Sequence, residues 1–314
     1  MRIFDAHCDT IYELDCRGLE LCKNPLQLDL ERMSEYDGYI QVFAAFVDKT
    51  DIKTSPMKHV LKLIDTYKSE TEKNVGKISI IETAEDLKNA HLSAGVHSIL
   101  SIEGGEALEG SISSLRMFHR LGVRLITLTW NHANELADGI TEGRGAGLTD
   151  FGRAAVSEME RLGILIDVSH LSEAGFWDVE RCTKYPFVAS HSCAKALCSH
   201  PRNLTDEQIR AVSEKGGCIG VNFYPEFLSN DGICDIERLA EHIEYMINIG
   251  GEDAVGLGSD FDGVDRLPEG IYGVESMNRL ADVLSGRGMT DSCIEKVFYG
   301  NFYRVFSDTL GRNG

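Results

Sequence analysis

Apolar residues recur along the chain in short runs, and between these runs they fall at three- and four-residue spacing. The short runs predict eight β-strands, at residues 2–5, 39–46, 97–102, 123–129, 164–169, 187–190, 218–222 and 254–259. The spaced stretches predict amphipathic helices, among them residues 57–74, 113–122, 150–163 and 236–250. A ninth strand-like run at residues 78–81 is interpreted as an accessory strand, or as the end of an insertion between the second and third strands.

The alternation of strands and helices predicts the fold class. Alternating elements favour parallel βαβ units, whose buried strands read as near-continuous apolar runs. Eight such units predict an α/β protein with a closed (β/α)8 TIM barrel. Because no linker-like segment divides the chain, we expect one barrel domain over residues 1–314. A doubly wound open sheet is the alternative, although no Gly-x-Gly-x-x-Gly turn follows an early strand.

Polar side chains follow nearly every predicted strand, at the end where such a barrel carries its active site. In an extended strand, His7 and Asp9 point to the same face and Cys8 points away. The residues at the strand ends are His7, Asp9, Glu103, Asn131, His132, His170, His191, Tyr224, Asp260 and Asp262. Each alone is explained as a turn or capping residue. Together, three imidazoles and several carboxylates would need cations to offset their charge.

The residue types narrow the choice of metal. Imidazole and carboxylate without a converging cysteine suit Zn, Mn, Fe or Co. More ligands are available than one tetrahedral ion with an open position requires, which favours two metals bridged by a carboxylate such as Glu103. The five predicted ligands are His7, Asp9, Glu103, His170 and His191.

Charge and cysteine content limit the partners and the compartment. The 31 basic and 50 acidic residues give a net charge of -19, which repels nucleic-acid phosphates and anionic membrane surfaces, so we expect neither partner. Nine cysteines without a Cys-x-x-Cys pair indicate reduced thiols in a cytoplasmic protein. We also expect no signal peptide and no transmembrane segment, because charged residues occupy the first ten positions and no long apolar run follows.

Seven ordered segments, spread over nearly the whole chain, resemble the membrane (renal-type) dipeptidases, peptidase family M19 of the amidohydrolase superfamily. They are FDAHCDT, SIEGGEAL, LIDVSHLSE, VASHSCAKAL, HPRNLTDEQI, VNFYPEF and GLGSDFDGV. The resemblance implies a zinc-dependent metallo-dipeptidase, usually a homodimer, that tolerates a D-amino acid at the carboxyl end of its dipeptide substrate. The expected chemistry is attack by a metal-bridging hydroxide on the peptide carbonyl.

The resemblance also implies roles for individual residues. One zinc would be held by His7 and Asp9, and the other by His170 and His191, with Glu103 bridging the two. Arg202 would bind the substrate carboxylate, a role that suits its forked donors. Asp260 would transfer the proton. We assign Tyr224 and Asn131 to substrate binding as well.

Two features depart from the family pattern. Animal members carry a histidine directly after the Leu-Thr-Leu-Thr of the fourth strand, where it helps to polarise the scissile carbonyl, whereas this chain carries Trp130. His132, two residues later, is the candidate to replace that catalytic histidine. The chain ends SDTLGRNG without a hydrophobic tail, so we do not expect the family's membrane anchor.

Other functions remain open from the sequence. Another amidohydrolase-type reaction, on a lactone, a phosphotriester or an N-acyl amino acid, is one alternative. Lactone and phosphotriester sites commonly combine a His-x-His first strand with a carboxylated lysine on the fourth, and this chain has neither at those places. A mononuclear iron oxygenase would need an all-β fold, against the helical stretches. A non-catalytic metal-binding protein is compatible with the same ligands.

Overall fold

Parallel strands and helices alternate along the chain. The computed structural model describes residues 1–48 and 53–313. The strands are β1 (Arg2–Cys8), β2 (Gly38–Phe46), β3 (Ile78–Ile80), β4 (Val96–Glu103), β5 (Val123–Thr127), β6 (Leu165–Asp167), β7 (Val188–Ala189), β8 (Cys218–Val221) and β9 (Val255–Leu257). The α-helices are α1 (Thr10–Arg17), α2 (Leu30–Met33), α3 (Pro56–Lys73), α4 (Ala84–Leu92), α5 (Ile112–Arg120), α6 (Asp150–Leu162), α7 (Glu173–Cys182), α8 (Asp206–Glu214), α9 (Pro225–Leu228), α10 (Ile236–Gly250), α11 (Met277–Gly286), α12 (Asp291–Glu295) and α13 (Asn301–Leu310). None of these described helices is both long and apolar enough to cross a lipid bilayer.

Eight of the strands close into a ring in the order β1, β2, β4, β5, β6, β7, β8, β9. The ring closes where Asp5 of β1 pairs with Leu257 of β9. The structure therefore confirms the predicted (β/α)8 barrel, and the alternative of an open doubly wound sheet is wrong. The remaining strand, β3, pairs with Val96–Ser98 at the start of β4, and β5 joins β4 from Leu100 onward. β3 is therefore the accessory strand predicted at residues 78–81.

The predicted element boundaries agree closely with the structure. Each of the eight predicted strands contains one strand of the ring or overlaps it, and the helix predicted at residues 236–250 coincides with α10. Local signals account for this agreement. Thr205 and Gln208 form the capping box that begins α8. Gly163 ends α6 in the left-handed conformation that glycine adopts without strain.

The strands carry one apolar cluster on the outer face of the barrel and another on its inner face. One lies between the strands and the outer helices. The other fills the barrel interior with strand residues such as Phe4, Ile40 and Leu125, and α13 adds Phe302 and Phe306 to it. The Phe306 ring stacks on that of Phe4 with 5.2 Å between centroids. Apolar side chains thus fill the barrel interior beside Phe4, and the polar side chains of the site lie at the carboxyl ends of the strands.

A register shift near the end of β1 sets the direction of its last side chains. Asp5 pairs with Gln41 of β2 but Cys8 pairs with Phe43, so β1 carries one extra residue between the two pairs. Such bulges redirect side chains beside functional sites. Cys8 is fully buried in the outer apolar cluster. His7 lies on the opposite face.

Candidate active site

Glu103, the last residue of β4, lies at the centre of a buried group of imidazoles. Its Oε2 atom is 3.3 Å from Nε2 of His7. Its Oε1 atom is 3.1 Å from Nε2 of His170 and 3.4 Å from Nε2 of His191. All four residues are buried. The two oxygens of one carboxylate therefore face two separate sets of ligand atoms, which is the arrangement that a bridging ligand requires.

Two further carboxylates face His7. Nε2 of His7 is 3.5 Å from Oδ2 of Asp9 and 3.7 Å from Oδ1 of Asp260. The structure thus brings the five predicted metal ligands and Asp260 into one cluster. Asp260 adopts a left-handed backbone with φ of 63°, a conformation that side-chain-bearing residues seldom adopt outside functional sites.

The tautomer of His170 follows from its neighbour Asn131. Nδ1 of His170 lies 2.9 Å from the side-chain oxygen of Asn131. Because that oxygen only accepts, Nδ1 carries the hydrogen and Nε2 keeps its lone pair. Asn131, predicted to bind substrate, therefore orients a predicted metal ligand.

His191 is held by hydrogen bonds that begin at Asp167 of β6. Oδ1 and Oδ2 of Asp167 accept the N–H of Ser190 at 2.8 Å and its hydroxyl at 2.5 Å. The Ser190 hydroxyl has a single hydrogen and gives it to the carboxylate, so its oxygen accepts the Nδ1 hydrogen of His191 at 2.8 Å. Nε2 of His191 is therefore the atom left to bind a metal. A hydrogen bond of this kind is what commonly orients a histidine ligand.

The donor set fits a metal centre. Nε2 of His170 and Nε2 of His191 present their lone pairs to each other at 2.9 Å, beside the Oε1 atom of Glu103. Among the described residues, both ring nitrogens of His7 and Oδ1 of Asp9 are buried without a hydrogen-bond partner. Buried polar atoms left unpaired are costly, and facing acceptors repel. Nitrogen and oxygen ligands in this arrangement suit a divalent transition metal.

Burial and mutual contact shift the pKa values in the cluster. Burial lowers the pKa of His170 to about 4, and the charge of Arg202 adds to this effect. Burial raises the pKa of Asp9 to about 7, and the charge of Glu103 adds to it. For Glu103, burial acts to raise the pKa, but the charge of His7 holds it well below its usual range. The cluster thus keeps a buried negative charge that cations would offset.

Arg202 is a buried cation beside the cluster. One Nη atom donates to the carbonyl of His191 at 3.0 Å, and the other is 3.5 Å from the Ser192 hydroxyl. The guanidinium lies 5.4 Å from the centre of the Phe227 ring. Within residues 1–48 and 53–313, its Nε atom has no hydrogen-bond partner. A guanidinium carries five N–H groups, so these contacts leave it further donors for an anionic ligand.

A cavity of about 660 Å³ opens above the cluster. The predicted site residues that line it are Asp9, Glu103, Asn131, His170, Arg202, Tyr224 and Asp260. His7 and His191 lie beneath them and are fully buried.

The structure does not bring His132 to the cluster. Its side chain is 44 % exposed and lies beside Glu142, with 3.8 Å between Nδ1 of His132 and Oε1 of Glu142. Trp130 lines the cavity instead, with its ring centre 6.3 Å from that of His170. Residues 130–132 belong to an irregular segment after β5, where strand alternation no longer determines the direction of a side chain.

Three site residues were not predicted. Asn222 donates its side-chain N–H to Oδ2 of Asp260 at 2.8 Å and is fully buried. Asp167 and Ser190 hold His191 from below. All three are polar residues within predicted apolar strands, and that contrast is the sequence signal that could have identified them.

Comparison with known proteins finds relatives along nearly the whole chain. The family model of the membrane dipeptidases (peptidase family M19) matches residues 1–312. An uncharacterized dipeptidase of Schizosaccharomyces pombe is 31% identical over 98% of this chain and 80% of its own length. Dipeptidase aclJ of Aspergillus oryzae is 39% identical over 69% of this chain, and the match spans 53% of that relative.

A solved structure is also similar. It is the crystal structure of a metallo peptidase from Rhodobacter sphaeroides, liganded with a phosphinate mimic of the dipeptide L-Ala-D-Ala. The sequences are 29% identical, and the structures superpose with a TM-score of 0.90 over 98% of this chain and 99% of that chain.

The hydrogen bonds of Ser190 predict an effect on metal affinity. We expect Ser190→Ala to weaken zinc binding about 10- to 100-fold, because His191 loses the acceptor that orients it. Competition with a chromophoric chelator on metal-free protein measures this affinity. Ser101→Ala is the matched control, since that buried hydroxyl donates to the carbonyl of Phe43 and to no site residue. Equal weakening in both variants would contradict the orienting role.

Proposed function

The chain belongs to the membrane dipeptidase family, peptidase family M19, and we propose that it is a zinc-dependent dipeptidase whose substrates include dipeptides with a C-terminal D-amino acid. Family membership and the metallo peptidase fold make it a metallo-dipeptidase, a hydrolase acting on peptide bonds. The observation that carries the finer proposal is Glu103, whose two oxygens face separate ligand sets beside the buried Arg202.

We propose two zinc ions per chain. His7 and Asp9 would hold one, His170 and His191 the other, and Glu103 would bridge them. The unpaired buried atoms of His7 and Asp9 and the facing lone pairs of the other two imidazoles support this assignment. When bound, such ions would act as Lewis acids towards a water molecule and towards the peptide carbonyl.

Arg202 would bind the substrate, and Asp260 would transfer the proton. Arg202 lines the cavity, and its guanidinium suits the terminal carboxylate of a dipeptide, which would fix the peptide bond above the cluster. Asp260 would accept the proton of the attacking water at Oδ1 and return it to the leaving amine. The bond from Asn222 to Oδ2 leaves Oδ1 directed towards His7 and the cluster.

Three further assignments are part of the proposal. A single domain over residues 1–314 is supported by the packing of α13 into the interior of the ring. A cytoplasmic location is supported by nine cysteines, all free and none in a disulfide. A homodimer follows only from the family resemblance.

Metal removal on a substrate panel tests the proposed function. We expect a chelator to abolish hydrolysis of L-Ala-L-Ala and L-Ala-D-Ala, and zinc to restore it at two ions per chain. The panel includes a lactone, a phosphotriester and N-acetyl-alanine. Hydrolysis of one of these in place of the dipeptides would assign the site to that reaction. Zinc binding without turnover of any substrate would indicate a metal-binding protein without activity.

The proposed contact between Arg202 and the substrate carboxylate predicts a substrate-dependent loss in Arg202→Met. Removing a charge-assisted hydrogen bond costs roughly 1.5–3 kcal/mol, so kcat/KM for dipeptides should fall about ten- to hundred-fold. C-terminally amidated dipeptides, which lack the charge, should lose little further. Arg238→Met is the control, because that guanidinium donates to the carbonyls of Leu197 and Leu228. Equal losses for acids and amides in Arg202→Met would make Arg202 structural.

The geometry of Asp260 predicts a loss of turnover without loss of metal. In Asp260→Asn the amide oxygen can still accept from Asn222, so the fold and both zinc ions should remain. We expect kcat to fall at least about 10²-fold, because the proton acceptor is gone. Steady-state kinetics and zinc content of the purified variant measure the two effects.

Asp262→Asn is the control for this variant. Asp262 accepts hydrogen bonds from the Thr10 hydroxyl at 2.6 Å and the N–H of Gln27 at 2.7 Å, which hold a loop. Its loss should change kcat much less. A normal kcat in Asp260→Asn would give the proton role to another group, and loss of zinc would make Asp260 a ligand.

A further inference from the structure

Three aromatic side chains form one continuous wall of the cavity. Tyr12 lies on α1, Phe46 ends β2, and Trp130 follows β5. The Phe46 ring meets both neighbours edge to face, with centroids 5.5 Å from Tyr12 and 5.1 Å from Trp130. We call Tyr12, Phe46 and Trp130 the aromatic wall.

The aromatic wall borders the cluster at His170 and reaches across the barrel mouth to the end of β2. The Trp130 and His170 ring centres are 6.3 Å apart, so the wall borders the ligand imidazoles. In the eight-strand ring, β2 stands four places from β7, the strand that precedes Arg202. Phe46 at the end of β2 therefore lies across the barrel mouth from the Arg202 segment.

The shape of a dipeptide then determines which side chain meets this wall. The scissile carbonyl belongs to the N-terminal residue, and its Cα is 3.8 Å from that of the C-terminal residue. With the terminal carboxylate at Arg202 and the carbonyl above Glu103, the N-terminal side chain extends beyond the cluster. It must lie on the far side from Arg202.

We infer that the aromatic wall is the subsite for the side chain of the substrate's N-terminal residue and selects dipeptides in which that side chain is apolar. This inference rests on the proposed dipeptidase function. An apolar side chain gains from burial against three rings, and aromatic side chains add edge-to-face contacts. Acidic side chains are disfavoured, because the carboxylates of Glu13 and Asp48 line the same cavity.

A panel of dipeptides on the zinc-loaded enzyme tests the preference without any variant. We expect kcat/KM for Leu-Ala and Phe-Ala to exceed that for Ala-Ala about ten-fold or more, since single methylenes in an apolar pocket already give such factors. Asp-Ala should be poorer than Ala-Ala. Equal values for Leu-Ala, Phe-Ala and Ala-Ala would overturn the inference. Absence of turnover for every dipeptide would instead overturn the proposed function.

The variant Trp130→Ala tests whether the aromatic wall contacts the N-terminal side chain. The ratio of kcat/KM for Leu-Ala to that for Ala-Ala should fall at least about five-fold. We expect most of this change in KM, because the wall contacts the side chain equally in the ground state and the transition state. The ratio for Ala-Leu to Ala-Ala should not change, since that side chain lies near Arg202. Trp130→Phe, which keeps an aromatic ring, should retain most of the Leu-Ala preference.

The other outcomes count against the wall. An equal loss for all three substrates in Trp130→Ala would mean that Trp130 only supports His170. A changed Ala-Leu ratio would place the C-terminal side chain at the wall. Zinc content and thermal unfolding of both variants are measured alongside the kinetics. If Trp130→Ala does not fold, the ratios in Trp130→Phe and in the wild-type panel decide the inference.

Discussion

The burial of one carboxylate, Glu103, is the constraint on which the rest of the site depends. A carboxylate withdrawn from water is costly unless it is paired and hydrogen-bonded. Glu103 meets that need with imidazoles from three other strand ends, those of β1, β6 and β7. These contacts hold only if the strand ends keep a fixed spacing. Closure of the ring between β1 and β9 provides it, because a closed sheet cannot fan open at one edge.

Below the site, two buried carboxylates repeat one arrangement. Asp5 of β1 accepts the N–H and the hydroxyl of Ser259, which follows the neighbouring strand β9. Asp167 of β6 does the same with Ser190 after the neighbouring strand β7. Each serine directly precedes a side chain of the site. Hydrogen bonds between adjacent strands therefore help to position Asp260 and His191.

The sequence predicts the fold and the metal-ligand residues better than it predicts the hydrogen bonds between site residues. Strand runs and their polar ends depend on local periodicity, so the barrel and the cluster of His7, Glu103 and the other ligands could be predicted. The partners that orient those ligands lie on different strands, and their pairing depends on the register of the closed ring. Asn131 illustrates the limit, because its strand end was predicted but its bond to His170 was not. His132 illustrates it again, because the irregular backbone after β5 leaves its side chain half exposed beside Glu142.

Trp130 stands where animal members of the family carry a histidine, and the two side chains would act differently on the substrate. An imidazole at this place would polarise the carbonyl and act mainly on the transition state, whereas an indole offers the substrate a surface that contacts ground state and transition state alike. His132 is half exposed beside Glu142 and is not among the residues that line the cavity, so we do not assign it this role. Polarisation of the carbonyl would then fall to the metal cluster alone. The hydrogen bonds that orient His170 and His191 beside Glu103 would then determine how well the carbonyl is polarised.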